Sequence, residues 1–145
     1  MQSKSLFANG QLAWELIQYP VLTEPTGNLG VVELGKEFNF NIKRAFFLRN
    51  VQSDQIRGKH SHKELKQLII CLSGSYSIAL DNGEMVETLQ MDETNQCLFL
   101  DGKVWREMSE FSDNAVMLVL CDREYRYDEV VRGYSQFKQI LNEDF

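Results

Sequence analysis

Both histidines of this chain lie in one short stretch, RGKHSHKELKQ, residues 57–67. His60 and His62 are two positions apart, and side chains at positions i and i+2 of a β-strand project from the same face. An imidazole has an ordinary pKa of about 6.5, so such a pair can bind a metal ion or exchange a proton near neutral pH. Arg57 precedes the pair and Gln67 follows it. The stretch is therefore either a metal site, an acid–base site or a pair of structural histidines.

The elements that would carry these residues are short apolar runs of strand length. They fall at 30–34, 45–51, 65–72, 76–80, 84–91, 96–100 and 115–120, and β-branched or aromatic residues are frequent in them. Turn-forming tripeptides at 73–75, 81–83, 101–103 and 112–114 separate several of the runs. This spacing predicts an all-β sandwich or barrel. The histidine run leads to the turn around Gly74, so the pair is predicted to open a β-hairpin.

The tail of the chain has a different pattern. Over residues 128–142, Val130, Tyr134, Phe137 and Leu141 recur at spacings of three or four. This period is typical of an amphipathic helix that packs one face on a core. We therefore expect one short C-terminal helix.

Composition limits the classes of function. A chain of 145 residues with 43% hydrophobic and 25% charged residues is expected to fold as a single soluble domain, 1–145. A net charge of −6 argues against nucleic-acid binding, which needs a basic surface. No apolar run is long enough for a signal peptide or a membrane span. Cys71, Cys97 and Cys121 lie in or beside apolar runs, so we expect buried free thiols in a reducing cytoplasm.

The histidine stretch resembles the first motif of the cupin superfamily, in which two histidines, a glutamate and a glycine follow one another at set spacings. His60, His62 and Gly74 keep this frame, but Gln67 stands where the metal-binding glutamate is expected. In the stretch that corresponds to the second motif, DGKVWREM at 101–108, Arg106 stands at the position of the last histidine. The resemblance implies an all-β fold, the cupin jelly-roll β-barrel.

The two replaced positions argue against a metal ion. A transition-metal site needs three or four N, O or S ligands and often a carboxylate, whereas two imidazoles and an amide remain here. Arg106 would repel a divalent ion by several kcal/mol at an effective dielectric constant of about 20. No metal and no other cofactor are expected. A neutral imidazole can accept and return a proton at cellular pH, so we favour proton transfer over a structural role for the pair.

A closer resemblance covers about residues 28–140. FNIKRAFF (40–47), RGKHSHKELKQLIICLSGS (57–75), WREM (105–108), VMLVL (116–120) and YDEVVRGYSQF (127–137) are similar, in order and spacing, to segments of the WxcM-like dTDP-4-keto-6-deoxyhexose 3,4-ketoisomerases. The resemblance implies a metal-independent isomerase that moves the ketone of dTDP-4-keto-6-deoxy-D-glucose from C4 to C3 through an enediol or enediolate. It also implies a homodimer that can exchange N-terminal strands within about residues 1–27.

The same resemblance implies a biological setting, the synthesis of deoxy-amino sugars for bacterial surface glycans such as lipopolysaccharide O-antigen. A PLP-dependent aminotransferase would take the 3-keto product. Three rivals remain: a cupin that binds dTDP-sugars without turnover, the related 3,5-epimerase of rhamnose synthesis, and a metal-dependent dioxygenase.

Residue roles follow from the resemblance. His60 is the expected base for the C3 proton, His62 orients it or relays protons, and Arg57 serves either the enediolate or the diphosphate. Gln67 is expected to hold a sugar hydroxyl. The other substrate-binding candidates are Lys43, Arg44 and Arg106 for the diphosphate, with Phe46 and Trp105 as pocket walls. Solvated surface charges remain an equal alternative for Lys43 and Arg44, and a core position an alternative for Trp105.

Two departures from the family pattern lie near these residues. Phe46 and Phe47 stand where many relatives have tyrosines, and Arg106 stands where many have histidine. Relatives differ in whether the 3-keto product has the gluco or the galacto configuration. The sequence does not predict which configuration this chain produces.

Overall fold

A computed structural model describes residues 4–33, 40–94 and 96–144, most of them in β-strands. The strands are β1 (Lys4–Leu6), β2 (Leu12–Gln18), β3 (Val21–Glu24), β4 (Gly27–Gly30), β5 (Arg44–Arg49), β6 (Arg57–His62), β7 (Lys66–Ser73), β8 (Tyr76–Asp81), β9 (Val86–Met91), β10 (Gln96–Asp101), β11 (Trp105–Ser109), β12 (Val116–Cys121) and β13 (Val130–Val131). A 3₁₀ turn (Tyr127–Glu129) precedes β13, and helix α1 (Tyr134–Asp144) follows it.

Two antiparallel sheets pack face to face. The six-stranded sheet has the order β1-β2-β10-β7-β12-β5, and the five-stranded sheet has the order β13-β6-β11-β8-β9. The β3–β4 hairpin stands apart from both. From β5 to β13 the chain changes sheet at every connection except that between β8 and β9, which is the path of a jelly roll. The predicted all-β jelly-roll fold is confirmed.

Side-chain alternation explains which face each strand buries. In β5, Arg44, Phe46 and Leu48 turn inward, and the residue after each of them is exposed. Strand β7 lies between β10 and β12, so both of its edges are hydrogen-bonded, and its residues from Gln67 to Cys71 are buried. Its Ile69 joins the core between the sheets, and its Leu68 joins a second apolar cluster on the outer face, under Phe40. The two faces of β7 therefore belong to two different apolar clusters.

Most strand predictions are confirmed within about two residues, and three predictions need correction. The run at 30–34 is not a strand, because β4 ends at Gly30 and residues 31–33 are irregular, while Leu34 lies outside the described residues. The histidine strand does not open a hairpin, since β6 and β7 belong to different sheets. The helix begins at Tyr134 and not at residue 128, because Val130 and Val131 pair with β6 as a strand.

The cysteines and the possibility of a membrane span are two further features that the sequence addresses. Cys71, Cys97 and Cys121 form no disulfide with one another, and all three are buried, as predicted. No helix in the described part of the chain is long and apolar enough to cross a membrane.

Candidate active site

The main cavity opens between β5, the edge strand of one sheet, and β6 of the other. Its volume is about 680 Å³. Strand β5 contributes Arg44 and Phe46 to its walls, β6 contributes both histidines, and β7 contributes Gln67. The cavity is therefore built from strands of both sheets, at the side where the barrel is open.

Strand register arranges the inward side chains of β5, β12 and β7 in layers. The layer nearest the opening contains Arg44, Cys121 and Gln67, and the next layer contains Phe46, Val119 and Ile69. In the first layer, the Cys121 sulfur lies 3.4 Å from Arg44 Nη2 and 3.5 Å from Gln67 Nε2. Polarity therefore falls from the opening towards the interior.

The two histidine rings contact each other. Their Nε2 atoms are 3.2 Å apart, and the rings meet edge to face with centroids 4.8 Å apart. The expectation that His60 and His62 share a face is confirmed. Between Gly58 and His60 the pairing with β11 shifts register, and Lys59 has a positive φ of 55°. This β-bulge adds one residue to β6 and turns the histidine end of the strand relative to its start.

Burial keeps both imidazoles neutral at pH 7. It is the main cause that lowers the pKa of His60 to about 4, with the nearby Arg106 cation lowering it further and a hydrogen bond to the Gly58 backbone opposing both. Burial, followed by Arg106 and His60, lowers the pKa of His62 to about 2. His62 Nδ1 is buried and has no hydrogen-bond partner among the described residues. At neutral pH each ring therefore has one unprotonated nitrogen.

Arg106 is a buried cation inside the barrel, only 2% exposed. Its Nη1 donates to Gln67 Oε1 at 2.6 Å, and its Nε donates to Val104 O at 3.1 Å. Its Nη2 lies 3.4 Å from the backbone oxygens of Asp101 and Gly102. Burial lowers its pKa to about 10, which leaves it charged at neutral pH. These bonds brace the β10–β11 turn and point away from solvent, so Arg106 does not occupy the position expected of a diphosphate ligand.

The other predicted residues divide into those at the cavity and those away from it. Arg44 lies at the cavity between the rings of Phe46 and Tyr125, each 5.4 Å from its guanidinium carbon. Arg57 is exposed and borders only a smaller inner chamber. Lys43 lines a separate charged groove beside the cavity.

Trp105 does not line the cavity. It is 7% exposed and packs against α1, with its ring 5.4 Å from Tyr134 and 5.7 Å from Phe137. Its indole N–H donates to Glu107. The core alternative therefore fits Trp105 better than the role of a pocket wall.

Sequence reasoning missed the cavity walls that come from residues 125–132. Tyr125, Val130 and Arg132 line the cavity, although they lie far along the chain from the histidines. Val130 is placed there because it pairs with His62 in the short β13–β6 ladder. A signal was present in the stretch EYRYDE, where aromatic and charged residues alternate.

Two residues hold the main chain around His62. Glu129 Oε1 accepts hydrogen bonds from the backbone N–H groups of Lys63, Glu64 and Leu65 at 3.1, 2.8 and 2.7 Å. Gly102 O accepts the His62 N–H at 2.6 Å. A Cβ on Gly102 would lie 2.9 Å from that of His62 and would overlap the backbone oxygen of Leu65, so only glycine fits here.

The donor set does not fit a divalent metal ion. The two imidazole Nε2 atoms face each other, and Gln67 Oε1 is already bonded to the Arg106 cation. In residues 4–33, 40–94 and 96–144, no three His, Cys, Asp or Glu side chains converge as a metal site. A cation at this point would also meet the positive charge of Arg106. The arrangement is suited to proton transfer in a partly dry cavity.

Comparisons with known proteins agree with this geometry. The family described as FdtA (WxcM-like, C-terminal) matches residues 13–142. The TDP-4-oxo-6-deoxy-alpha-D-glucose-3,4-oxoisomerase of Aneurinibacillus thermoaerophilus is 32% identical over 127 residues, 88% of this chain and 91% of that protein.

Two solved structures with a similar fold are also 3,4-ketoisomerases. A 3,4-ketoisomerase from Helicobacter canadensis superposes with a TM-score of 0.84 at 33% identity, over 89% of this chain and 97% of that one. A mutant of the 3,4-ketoisomerase QdtA from Thermoanaerobacterium thermosaccharolyticum, in complex with TDP-4-keto-6-deoxyglucose, superposes with a TM-score of 0.86 at 30% identity, over 91% and 96%. The chain belongs to the FdtA (WxcM-like) family, and the relatives named above are 3,4-ketoisomerases.

Proposed function

We propose that the chain isomerises dTDP-4-keto-6-deoxy-D-glucose to its 3-keto isomer. The observation that supports this most directly is the pair of neutral imidazoles, with Nε2 atoms 3.2 Å apart, in the wall of a cavity of about 680 Å³. The relatives in this family supply the substrate class, since one is named for it and another was solved with it. No metal ion or cofactor takes part in the proposed reaction.

The reaction needs one base and one acid. His60 takes the C3 proton, and the C3–H electron pair forms a C3–C4 double bond while the C4 carbonyl becomes an enolate oxygen. A proton then passes from the C3 hydroxyl to the C4 oxygen. Finally the protonated histidine pair returns a proton, directly or through water, to C4: the electron pair of the C3–C4 double bond forms the new C4–H bond, and the C3 oxygen becomes the carbonyl. The enediolate therefore forms and disappears without any redox partner.

The negative charge of the bound substrate supports His60 as the base. With a pKa of about 4 in the ligand-free cavity, His60 is a weak base. A bound diphosphate or enediolate is negative, and a negative neighbour stabilises the imidazolium and raises its pKa. His62, in contact with His60, can orient the ring or receive its proton. The base is thus strengthened by the substrate that it acts on.

Arginines at the cavity supply positive charge for the substrate. Arg44 and Arg132 both line it, and Arg44 Nε is buried without a partner in the described part of the chain. Arginine forks match phosphate oxygens, so we assign these two side chains to the diphosphate. Arg57 borders the inner chamber and not the main cavity, so we do not assign it to the diphosphate. Gln67 holds a sugar hydroxyl, with its amide fixed by Arg106.

The test is isomerisation in D₂O followed by NMR. Deuterium at C4 together with a ketone at C3 is the expected result, whereas deuterium at C5 would indicate an epimerase. Binding of the sugar nucleotide with no deuterium incorporation would indicate a binding protein. His60→Asn should lower kcat at least ~100-fold, the low end for loss of a general base. Near-normal turnover in that variant would remove His60 from this role, and loss of activity with EDTA would contradict the metal-free reaction.

We also propose a cytoplasmic homodimer whose product passes to a PLP-dependent aminotransferase. The β3–β4 hairpin supports the dimer, since its Leu22 and Leu29 are 56% and 59% exposed and apolar. Exposed apolar side chains on an isolated hairpin fit burial against a second copy. Light scattering after size-exclusion chromatography should give twice the chain mass, and a monomer mass at micromolar concentration would contradict the dimer.

A further inference from the structure

A small chamber lies deeper in the barrel, next to His60. Its volume is about 90 Å³. Four residues line both this chamber and the main cavity: Phe46, Gly58, His60 and Gln67. The two spaces are therefore neighbours across the catalytic histidine, and a ligand at His60 can extend a small group into the chamber.

The chamber wall is mostly hydrocarbon. Leu48, Ile69, Met117 and Val119 form its floor, and the last three of these are at most 2% exposed. Strand register places Leu48 beside Met117 in the layer below Phe46 and Val119. This part of the wall is thus a continuation of the inner core and offers little to a polar group.

The one buried charge in the wall directs its polar atoms elsewhere. Arg106 borders the chamber, but its Nε, Nη1 and Nη2 atoms donate to Gln67 and to backbone oxygens of residues 101–104. Arg57 also borders it, with a side chain that is otherwise exposed to solvent. A hydroxyl placed among the aliphatic side chains would lose its bonds to water and gain none in return.

We propose that this chamber receives the C6 methyl group of the sugar and selects 6-deoxy sugar nucleotides over their 6-hydroxy counterparts. The proposal rests on the proposed function, which puts C3 and C4 at His60. C6 is attached to C5, the neighbour of C4, so the methyl group lies close to the reacting carbons. At about 90 Å³ the chamber has room for a hydroxymethyl group as well. Selection is therefore by polarity and not by size.

Binding of two stable ligands tests the proposal. dTDP-6-deoxy-D-glucose and dTDP-D-glucose differ only by the C6 hydroxyl, and neither can isomerise because neither has a ketone. Titration calorimetry should show that the 6-deoxy ligand binds about 10- to 100-fold more tightly, the range for an apolar pocket that meets an added hydroxyl. Equal dissociation constants would overturn the chamber proposal.

A substitution in the chamber wall tests whether the chamber causes the preference for the 6-deoxy ligand. Val119→Thr keeps the shape of the side chain and adds a hydroxyl to the wall, so the ratio of the two dissociation constants should fall at least ~3-fold. Val86→Thr is the matched control, because Val86 is 62% exposed on β9 and lines neither space. Should Val119→Thr fail to fold, Met117→Gln makes the same test. An unchanged ratio in the folded chamber variant would overturn the proposal.

The two proposals can fail separately. If both ligands bind equally and the enzyme still isomerises its keto substrate in D₂O, the chamber proposal is overturned and the proposed function stands. If neither ligand binds and no isomerisation occurs, the proposed function is overturned and the chamber proposal with it. A tighter 6-deoxy ligand with a ratio that responds to Val119→Thr and not to Val86→Thr is the supporting result.

Discussion

Acidification should destabilise the fold through the two buried imidazoles. The folded protein holds the pKa of His60 at about 4 and that of His62 at about 2, whereas in the unfolded chain both have the ordinary value of about 6.5. Between these values the unfolded state binds protons that the folded state does not. Stability is therefore retained above about pH 6.5 and falls as the pH drops below it.

The size of this loss of stability is set mainly by protonation of the histidines in the unfolded chain. Between pH 7.5 and 5.5, protonation of one unfolded imidazole with a pKa of about 6.5 lowers the free energy of the unfolded state by about 1.4 kcal/mol. The chain has two histidines, and both lie in the cavity. Together they should reduce the free energy of unfolding by about 3 kcal/mol over this pH interval.

Urea unfolding at pH 7.5, 6.5 and 5.5, at one protein concentration, measures this loss. The control is a His60→Asn/His62→Asn double variant, which has no histidine and should lose much less stability over the same interval. Carboxylates titrate mostly below this range, so the difference between the two proteins isolates the imidazoles. If the wild-type protein and the double variant lose stability equally, the imidazoles are not held neutral by the fold and the reasoning is refuted.

Three further predictions concern the residues that hold the pair. Gly102→Ala should cost several kcal/mol of stability, because the added Cβ would overlap backbone atoms. Gly133→Ala should be tolerated, because a Cβ there would meet no atom nearer than 3.9 Å. Thermal unfolding of both variants measures the difference. Glu129→Leu should cost about 1–3 kcal/mol in urea unfolding, and Glu129→Gln less than half as much, because an amide oxygen can still accept the three N–H groups. Arg106→Met should raise the pKa of His60, so the acid limb of the pH–rate profile should move to higher pH. An unmoved limb would show that the Arg106 charge does not lower that pKa.

Much of the fold could be predicted from the sequence because its central strands carry strong apolar patterns. Strands such as β7, β8 and β10 are buried on both faces, and their continuous apolar runs are visible in the chain. Strands at the edges lack this signal. β1 buries only one of its three residues, and both strands of the β3–β4 hairpin are exposed along their whole length. Their pairing depends on partners that are distant in sequence or on a turn, and not on their own composition.

The candidate site could be predicted in part. The i, i+2 spacing brings His60 and His62 together, but the bulge at Lys59 that turns the end of β6 follows from pairing with β11. Val130 reaches the cavity through a two-residue ladder, which leaves no periodic signal. For Trp105 and Arg106, packing in the folded chain decides the position and the family motif does not. The family motif predicts Arg106 at the diphosphate and Trp105 either in the pocket wall or in the core, and tertiary packing places Trp105 against α1 and Arg106 inside the barrel.

Arg106 has a further consequence for how the site becomes ready for use. In a cupin that works with an ion, the electrostatic field in the barrel depends on supply of that ion, on its oxidation state and on competitors for its ligands. Here the charge beside the imidazoles is a covalently attached guanidinium, buried and bonded to the β10–β11 turn. It cannot dissociate on dilution and it needs no loading step. The polarised environment of the histidine pair is therefore complete as soon as the barrel has closed, and every folded copy carries it at full occupancy.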